Sequence, residues 1–248
     1  MPEPTTTTLA LAVWPPPAST RRASYLAASA GQHRIAPDLA ARAILAYTDP
    51  GDLVVDPDCG VGTVLVEAIQ QGRRAIGLTT DPGKAALASA NVSHARAQGA
   101  PGRAAVLEAK PDQLQRTLAK ATAILNPTND KHAKQRVARH PAGSTQLLLT
   151  VAPTNPTAER LSGWTSVFAP GGFLLLVHSH TGAAPTRRLG ATVAAAEEAG
   201  LQYWQHVIAL RTSRAAPDAL LHTDVLCFRK PGNTTTAHAQ RTARAVAA

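Results

Sequence analysis

The sequence has few cysteines, no long apolar run and too few acidic residues to balance its basic ones. Cys59 and Cys227 lie far apart and in no metal-ligand spacing, so neither a disulfide framework nor a metal site is predicted. No apolar run approaches the ~20 residues that span a bilayer. Residues 1–8 also lack the features of a signal peptide. These absences predict a cytoplasmic protein that is neither secreted nor inserted in a membrane.

The shortage of acidic residues leaves the chain strongly basic. It has 25 Lys and Arg against 16 Asp and Glu, a net charge of +9. Such a charge favours a polyanionic partner, DNA or RNA, because phosphates attract clustered basic side chains. The alternative is that the charge belongs to disordered basic tails that bind nothing specific.

Composition separates a central part from two ends. Residues 1–24 contain a threonine run, three consecutive prolines and an Arg-Arg pair, and residues 231–248 are similar, so both ends are predicted to be disordered. Residues 25–230 alternate short β-branched or leucine-rich runs with longer alanine-rich stretches. This alternation is typical of βαβ units around a parallel sheet and predicts one α/β domain.

Secondary-structure signals are clear along most of this domain. Residues 146–152 are ambiguous, since they suit either an extra strand or the start of a helix. The last two predicted strands are expected to pair antiparallel. The predicted helices are 62–72, 82–98 and 185–199, and the predicted strands are 52–56, 75–78, 104–107, 122–125, 172–178, 203–210 and 224–229.

A glycine-rich turn follows the first strand of the predicted domain. It reads Asp56-Pro57-Asp58-Cys59-Gly60-Val61-Gly62-Thr63. Small residues let a ligand approach the backbone, and the next helix offers free N–H groups, so the turn suits a small anionic or zwitterionic group. It is neither a dinucleotide-binding G-x-G-x-x-G nor a Walker loop. The alternative is a tight turn whose glycines serve packing alone.

A longer ordered pattern surrounds this turn in residues 33–77. A Pro-x-Leu helix start is followed by P-G-D-x-V-x-D-P, G-x-G-T, E-A and G-R. This order resembles the cofactor-binding half of the beta-class bacterial DNA amino-methyltransferases, the site-specific N4-cytosine and N6-adenine enzymes. Residues 168–172 resemble the family's Pro-Gly-Gly turn before its fifth strand. The matching residues are Pro37, Leu39, Pro50, Gly51, Asp52, Asp56, Pro57, Gly60, Gly62, Thr63, Glu67, Ala68, Gly72, Arg73 and Gly77.

The resemblance implies a fold, a cofactor and an activity. The fold is a single Rossmann-like class I methyltransferase domain, with a mostly parallel seven-stranded sheet that ends in an antiparallel hairpin. The cofactor is S-adenosylmethionine, and the activity is methylation of an exocyclic amino group of a DNA base. Asp56, Gly60 and Gly62 would then face the methionine portion of the cofactor. The other residues that the resemblance assigns to this site are His33, Ile35, Pro37, Pro57 and Thr63.

Two positions that hold the adenosine portion of the cofactor in the family have changed. Where the family has a carboxylate that accepts both ribose hydroxyls, this chain has Thr79. Where the family has an acid that accepts from the adenine amino group, it has Lys110, which carries donors only. Asp81 and Asp112 lie two residues further on, and we interpret both first as helix N-caps. Cofactor binding is therefore expected to be weak or lost.

The catalytic motif of the family has also changed. The family places Asp, Asn or Ser, then Pro-Pro and an aromatic residue, at the end of the fourth strand, where oxygens accept the amino hydrogens and the ring stacks on the flipped base. Asn126-Pro127-Thr128-Asn129 keeps an acceptor without a ring, so Asn126 and the Pro127 carbonyl are the predicted catalytic groups. The alternative for Asn126 is a simple turn residue. Ala152-Pro153-Thr154-Asn155 is a second candidate, with neither acceptor nor ring.

Two further groups of residues are candidate sites. His178 and His180 would point to the same side of a strand with no acid nearby in sequence, so a metal role is not favoured. A basic segment follows the predicted catalytic residues and is expected either to contact phosphates or to form a solvated loop. It contains Lys131, Lys134, Arg136 and Arg139.

Two functions from different classes stay open. The first is an enzyme that methylates a DNA base. The second is a catalytically degenerate pseudo-methyltransferase that binds DNA or regulates, as a homo-oligomer or beside a catalytic homologue. The replacements at Thr79, Lys110 and Asn129 together favour the second. RNA methylation is less favoured, because no added RNA-binding domain is apparent.

Overall fold

Alternating apolar runs and alanine-rich stretches form one sheet with helices on both faces. The computed structural model describes residues 11–16, 25–110, 145–178, 185–211 and 221–232, together with 113 and 117. The helices are α1 (Pro37–Tyr47), α2 (Thr63–Gln70), α3 (Pro82–Ala97), α4 (Ala158–Thr165) and α5 (Pro185–Glu198), and Ala27–Ser29 forms a short 3-10 turn. The strands are β1 (Leu11–Trp14), β2 (Leu53–Asp56), β3 (Arg74–Thr79), β4 (Arg103–Glu108), β5 (Thr145–Val151), β6 (Phe168–His178), β7 (Gln202–Arg211) and β8 (Leu221–Arg229).

The strand order explains where a ligand site can lie. The sheet runs β1-β7-β8-β6-β5-β2-β3-β4, and β8 pairs antiparallel with both of its neighbours whereas every other pair is parallel. The prediction of a mostly parallel sheet with an antiparallel C-terminal hairpin is therefore confirmed. Because β2 to β6 run parallel, their carboxyl ends share one edge of the sheet, which is where ligands bind in folds of this kind.

Two apolar cores hold the helices to the sheet. On one face α1, α2 and α3 pack against inward residues of the strands, including Leu147 and Leu149 of β5. On the other face α4 and α5 pack against the alternate residues, including Leu148. A central parallel strand is buried on both faces, which is why residues 145–150 are all buried.

The sheet has eight described strands rather than the predicted seven. The extra strand is β1, which lies within the segment 1–24 that was predicted to be disordered. β1 pairs with β7 along the sheet edge, Trp14 is 1% exposed, and the Arg42 guanidinium lies 5.1 Å from its ring centroid. The prediction of disorder used the composition of the whole segment, which is rich in Thr and Pro. That average does not detect the four residues of β1, which bury Trp14.

The ambiguous residues 146–152 supply most of a central strand. They form residues 146–151 of β5, which pairs with β2 on one side and β6 on the other. The other described neighbour of β2 is β3. Residues 122–125 lie outside the part of the chain that the structure describes.

None of the described helices has the length and apolarity needed to cross a bilayer.

Candidate functional site

The glycine-rich turn joins β2 to α2 at the carboxyl edge of the sheet. Gly60 and Gly62 have φ values of 51° and 82°, in the left-handed region that favours glycine. A Cβ on Gly62 would lie 3.0 Å from the Cβ of Ala88, so packing explains this glycine. A Cβ on Gly60 would meet only the Cδ of Arg34, at 3.8 Å. Packing alone therefore does not account for Gly60, whose backbone faces a pocket.

The pocket above the turn is small. It encloses about 10 Å³, about the space that one water molecule needs. In this form it does not hold a ligand built from a nucleoside and an amino acid. Of the residues assigned to the cofactor from sequence, Ile35, Asp56, Gly60 and Thr63 line it. The other lining residues are Arg34, Asp58, Cys59, Val61, Val64 and Val151.

Asp56 is the buried charge of this pocket. Asp56 is the last residue of β2, and its almost fully buried side chain accepts the backbone N–H of Asp58 at 3.1 Å. Burial raises the pKa of Asp56 to about 7, although the hydrogen bond from the Asp58 backbone opposes the rise. The raised pKa favours the neutral carboxyl group, and a cation in the pocket would favour its charged form.

Arg34 and Asp58 form an ion pair across the mouth of the pocket. The Arg34 Nη1 donates to Asp58 Oδ2, and the two side chains are 46% and 44% exposed. The aliphatic part of Arg34 passes over Gly60. Sequence reasoning missed Arg34, because its place over the turn depends on how the segment before α1 folds back onto β2.

His33 belongs to the wall beside the turn. Its Nδ1 lies 2.8 Å from Thr63 Oγ1, and burial lowers the pKa of the imidazole, which favours the neutral ring. Tyr25 packs edge-on against His33 at 4.6 Å between ring centroids, and its hydroxyl donates to Glu67 Oε1 at 3.0 Å. Pro37 begins α1 next to this wall. The sequence pattern included His33, Thr63 and Glu67 but did not indicate Tyr25.

A buried amide ties the turn to α3. Asn91 donates through Nδ2 to the Val61 carbonyl at 2.8 Å and to Ser29 Oγ at 2.7 Å, and its Oδ1 accepts from the Leu26 N–H at 3.0 Å. One side chain thus joins the glycine-rich turn, α3 and the segment before α1. No sequence signal indicated this, because the three segments meet only in the fold.

The positions for the adenosine portion carry no carboxylate among the described residues. Thr79 is buried at the end of β3, and its Oγ1 accepts the Asp81 N–H at 3.3 Å. Asp81 Oδ1 accepts from the N–H groups of Gly83 and Lys84 at 2.9 and 3.2 Å. The interpretation of Asp81 as a helix N-cap is therefore confirmed. Lys110 is exposed just after β4, and Asp112 lies outside the described residues.

The second candidate for the catalytic motif follows β5. Val151 lines the pocket, and the chain continues as Ala152-Pro153-Thr154-Asn155. The first candidate, Asn126 and Pro127, lies outside the described residues, so its assignment stays a prediction. The basic segment with Lys131, Lys134, Arg136 and Arg139 lies outside the described residues as well.

A group of histidines lies further along the same edge. No acid lies near His178 in sequence. In the sheet, Asp224 of β8 is its cross-strand partner. His206 Nε2 lies 2.7 Å from Asp224 Oδ1, and His222 Nε2 lies 3.8 Å from Oδ2. Within the described part of the chain, no group of three or more His, Cys, Asp or Glu is arranged to hold a metal ion.

The matched sequence family agrees with this geometry. Residues 11–90, which include the glycine-rich turn and most of α3, match the N6_N4_Mtase family, described as DNA methylase. Over these residues the chain is similar to the DNA amino-methyltransferases. The resemblance seen between His33 and Gly77 is therefore confirmed. No curated protein matches the sequence.

Solved structures similar to this chain support the fold. The magnesium protoporphyrin IX methyltransferase ChlM from Synechocystis PCC 6803, with bound SAM, is 13% identical, with a TM-score of 0.50 over 78% of this chain and 77% of that chain. The [4+2]-cyclase SpnF is 14% identical, with a TM-score of 0.51 over 80% and 82%. TrmN from Thermus thermophilus is 16% identical with a TM-score of 0.49 over 82% of this chain, which spans about half, 51%, of TrmN.

Identities this low show the fold alone, since one fold carries many reactions. The Rossmann-like fold of S-adenosylmethionine-dependent methyltransferases is confirmed. Together with the matched family it supports S-adenosylmethionine as the cofactor. The residues fit that cofactor at one end only: Gly60 leaves its backbone open to the pocket and Asp56 offers a buried carboxylate, whereas Thr79 and Lys110 offer none.

Proposed function

We propose that this protein is a catalytically degenerate relative of the DNA amino-methyltransferases, which keeps the amino acid end of the cofactor site and acts as a DNA-binding or regulatory module. The observation that carries the proposal is the sequence at the end of β5. Ala152 and Asn155 follow β5, and in this proposal they take the places of the acceptor and of the aromatic ring.

The chemistry explains why these two replacements matter. The lone pair of an exocyclic amino group is delocalised into the base, and it becomes nucleophilic only when oxygens accept the amino hydrogens. The methyl group of Ala152 cannot accept a hydrogen bond. Stacking of a base on an aromatic ring contributes ~1–3 kcal/mol, and an amide at Asn155 does not replace the ring. The end of β5 therefore neither activates nor holds a flipped base.

Weak cofactor binding belongs to the same proposal. When bound, S-adenosylmethionine supplies an electrophilic methyl group. Asp56 and the backbone at Gly60 would hold its amino acid end. Hydrogen bonds to charged groups contribute about 1.5–3 kcal/mol each, and the charged acceptors for the ribose and the adenine are absent at Thr79 and Lys110.

The experiment that tests the proposal is methyl transfer to DNA. Purified protein is incubated with methyl-labelled S-adenosylmethionine at millimolar concentration and unmethylated genomic DNA, beside an active DNA amino-methyltransferase. No incorporation above the protein-free background is expected.

A second candidate, an active DNA amino-methyltransferase, is favoured by the family match over the intact glycine-rich turn. In it, Asn126 and the Pro127 carbonyl would accept the amino hydrogens of the target base. Incorporation that disappears in Asn126→Ala, with S-adenosylmethionine binding unchanged, would establish this candidate and contradict the first.

DNA is the proposed partner because of the net charge of +9. If the four basic side chains of the segment 131–139 each contact a phosphate, log K should fall with log salt with a slope of about −3.6. The variant with Gln at Lys131, Lys134, Arg136 and Arg139 should lose most of this slope. Binding of duplex DNA that does not depend on salt would contradict the proposed contacts, and tighter binding of RNA would point to the less favoured RNA partner.

A further inference from the structure

One edge of the described sheet is regular along its whole length. β4 is the last strand of the order, and among the described strands only β3 pairs with it, over six residues without a register shift. Between Arg103 and Glu108 the strand has no proline, lysine or bulge, the features that protect edges from pairing. The opposite edge strand, β1, has four residues and is followed by Pro15 and Pro16. β4 is therefore the described edge that suits pairing with a further strand.

A groove of about 320 Å³ runs along this edge, between α3 and β4. The β4 side of the groove is aliphatic and half-buried, whereas the α3 side carries hydroxyl groups and one exposed positive charge. The groove therefore suits a strand that presents an aliphatic and an acidic side chain. Its lining residues are Ser89, Val92, Ser93, Arg96, Ala104 and Val106.

β4 itself presents the side chains that complement this groove. Because side chains alternate along a strand, Ala104, Val106 and Glu108 lie on the same face of β4, toward α3. Arg96 lies in the last turn of α3 and lines the groove together with Ala104. Arg96 and Glu108 are both exposed, and neither has an ion-pair partner among the described residues. A DNA backbone in the groove would be repelled by Glu108, whereas a second copy of β4 offers its carboxylate to Arg96.

We propose that two copies of this chain pair antiparallel through β4, about a two-fold axis at Val106, with Arg96 of each copy binding Glu108 of the other. Residues directly opposite in an antiparallel pair lie on the same face of the sheet. Pairing about Val106 puts Ala104 opposite Glu108 of the second copy, on the face that carries Arg96. Two-fold symmetry forms this ion pair twice. The inference goes beyond the proposed function and does not depend on it.

The rest of the proposed interface is apolar and small. On the other face of the sheet, Ala105 lies opposite Leu107 of the second copy, again twice, and Leu107 is only half-buried in a single chain. Backbone hydrogen bonds between the paired strands supply most of the affinity. Because a short strand pair is a small interface, the expected dissociation constant is on the order of 10–100 μM.

Sedimentation velocity of the full chain, treated with nuclease, tests this dimer from about 5 to about 500 μM protein. The salt concentration is about 0.15 M, which screens the net charge of +9 beyond about 8 Å. The wild-type protein should change from monomer to dimer over this range. Arg96→Glu and Glu108→Arg should each weaken the dimer at least about tenfold, because each turns two attractive contacts into two repulsive ones.

An equimolar mixture of the two single variants separates charge pairing from structural damage. One Arg96→Glu chain and one Glu108→Arg chain have opposite charges at both symmetric contacts, so the mixture should dimerise within about threefold of the wild type. Arg103→Glu is the matched control, because it makes the same charge change on the other face of β4. It should leave the dissociation constant within about twofold of the wild-type value.

Four results would overturn the inference. The first is a wild-type protein that stays monomeric over the whole range. The second is wild-type dimerisation in both single variants, and the third is a mixture that associates as weakly as each variant alone. The fourth is association that occurs only when duplex DNA is added, which would give the groove to DNA. Concentration-dependent dimerisation that each single variant loses and the mixture recovers supports the inference.

Discussion

Asp56→Asn should make the ligand-free protein more stable at alkaline pH by about 4 kcal/mol. The carboxyl group is buried, and its pKa is raised from 3.8 to about 7 in the folded state. The folded protein therefore binds more protons than the unfolded chain between these two values. Stability is highest below the unfolded pKa, falls as pH rises toward about 7, and stays low above it. Asn at this position carries no charge and can still accept the Asp58 N–H.

Chemical unfolding at several pH values tests this prediction. The wild-type free energy of unfolding should fall relative to Asp56→Asn between about pH 4 and about pH 7. Asp58→Asn makes the same chemical change at a half-exposed position and should alter stability by less than about 1 kcal/mol. Parallel curves for wild type and Asp56→Asn would show that the buried carboxyl group has no raised pKa.

Restoring the two adenosine acceptors should tighten S-adenosylmethionine binding by a factor of about 10²–10⁴ in the double variant Thr79→Asp/Lys110→Asp. Thr79 ends β3 and Lys110 follows β4, and these strands are parallel neighbours, so both carboxylates would lie at the same edge as Asp56. Each would supply charged hydrogen bonds that the present side chains cannot make.

The control for this variant is Thr79→Asn/Lys110→Asn, which has similar shapes and no negative charge. It should gain much less affinity. The gain from the carboxylates should appear for S-adenosylmethionine and for methylthioadenosine, which contain adenosine, and not for methionine. An equal gain for methionine would place the new carboxylates near the amino acid end and contradict the assignment of both positions.

The sequence predicts those parts of the fold that depend on local pattern. The βαβ alternation, the glycine-rich turn and the antiparallel hairpin all follow from short-range signals, as does the N-cap at Asp81. The strands β1 and β5 were harder. β1 depends on the burial of Trp14 against distant elements, and β5 is apolar on both faces, so it has no periodicity that separates a strand from a buried helix.

Only part of the candidate site could be predicted from the sequence. The turn residues and His33 follow from the ordered pattern, whereas Arg34, Tyr25 and Asn91 act through contacts between segments far apart in sequence. The position of the catalytic motif could not be predicted from residue types either. The structure shows that Ala152 to Asn155 follow β5, which pairs with β2 and β6, whereas Asn126 and Pro127 stay a prediction.

The proposed function gives the chain one half of its ligand site. The buried Asp56 and the open backbone at Gly60 belong to this half, and the ion pair between Arg34 and Asp58 lies at the mouth of the pocket. In the proposal, the acceptors for adenosine and for the target base are replaced, which favours a binding role over a weakened enzyme.

Calorimetric titration of the wild-type protein with S-adenosylmethionine tests this account most directly. The account predicts either no binding or a dissociation constant well above the low micromolar range, because two charged acceptors are missing. A dissociation constant in the low micromolar range would contradict it, since the remaining half of the site would then hold the cofactor as a complete site does.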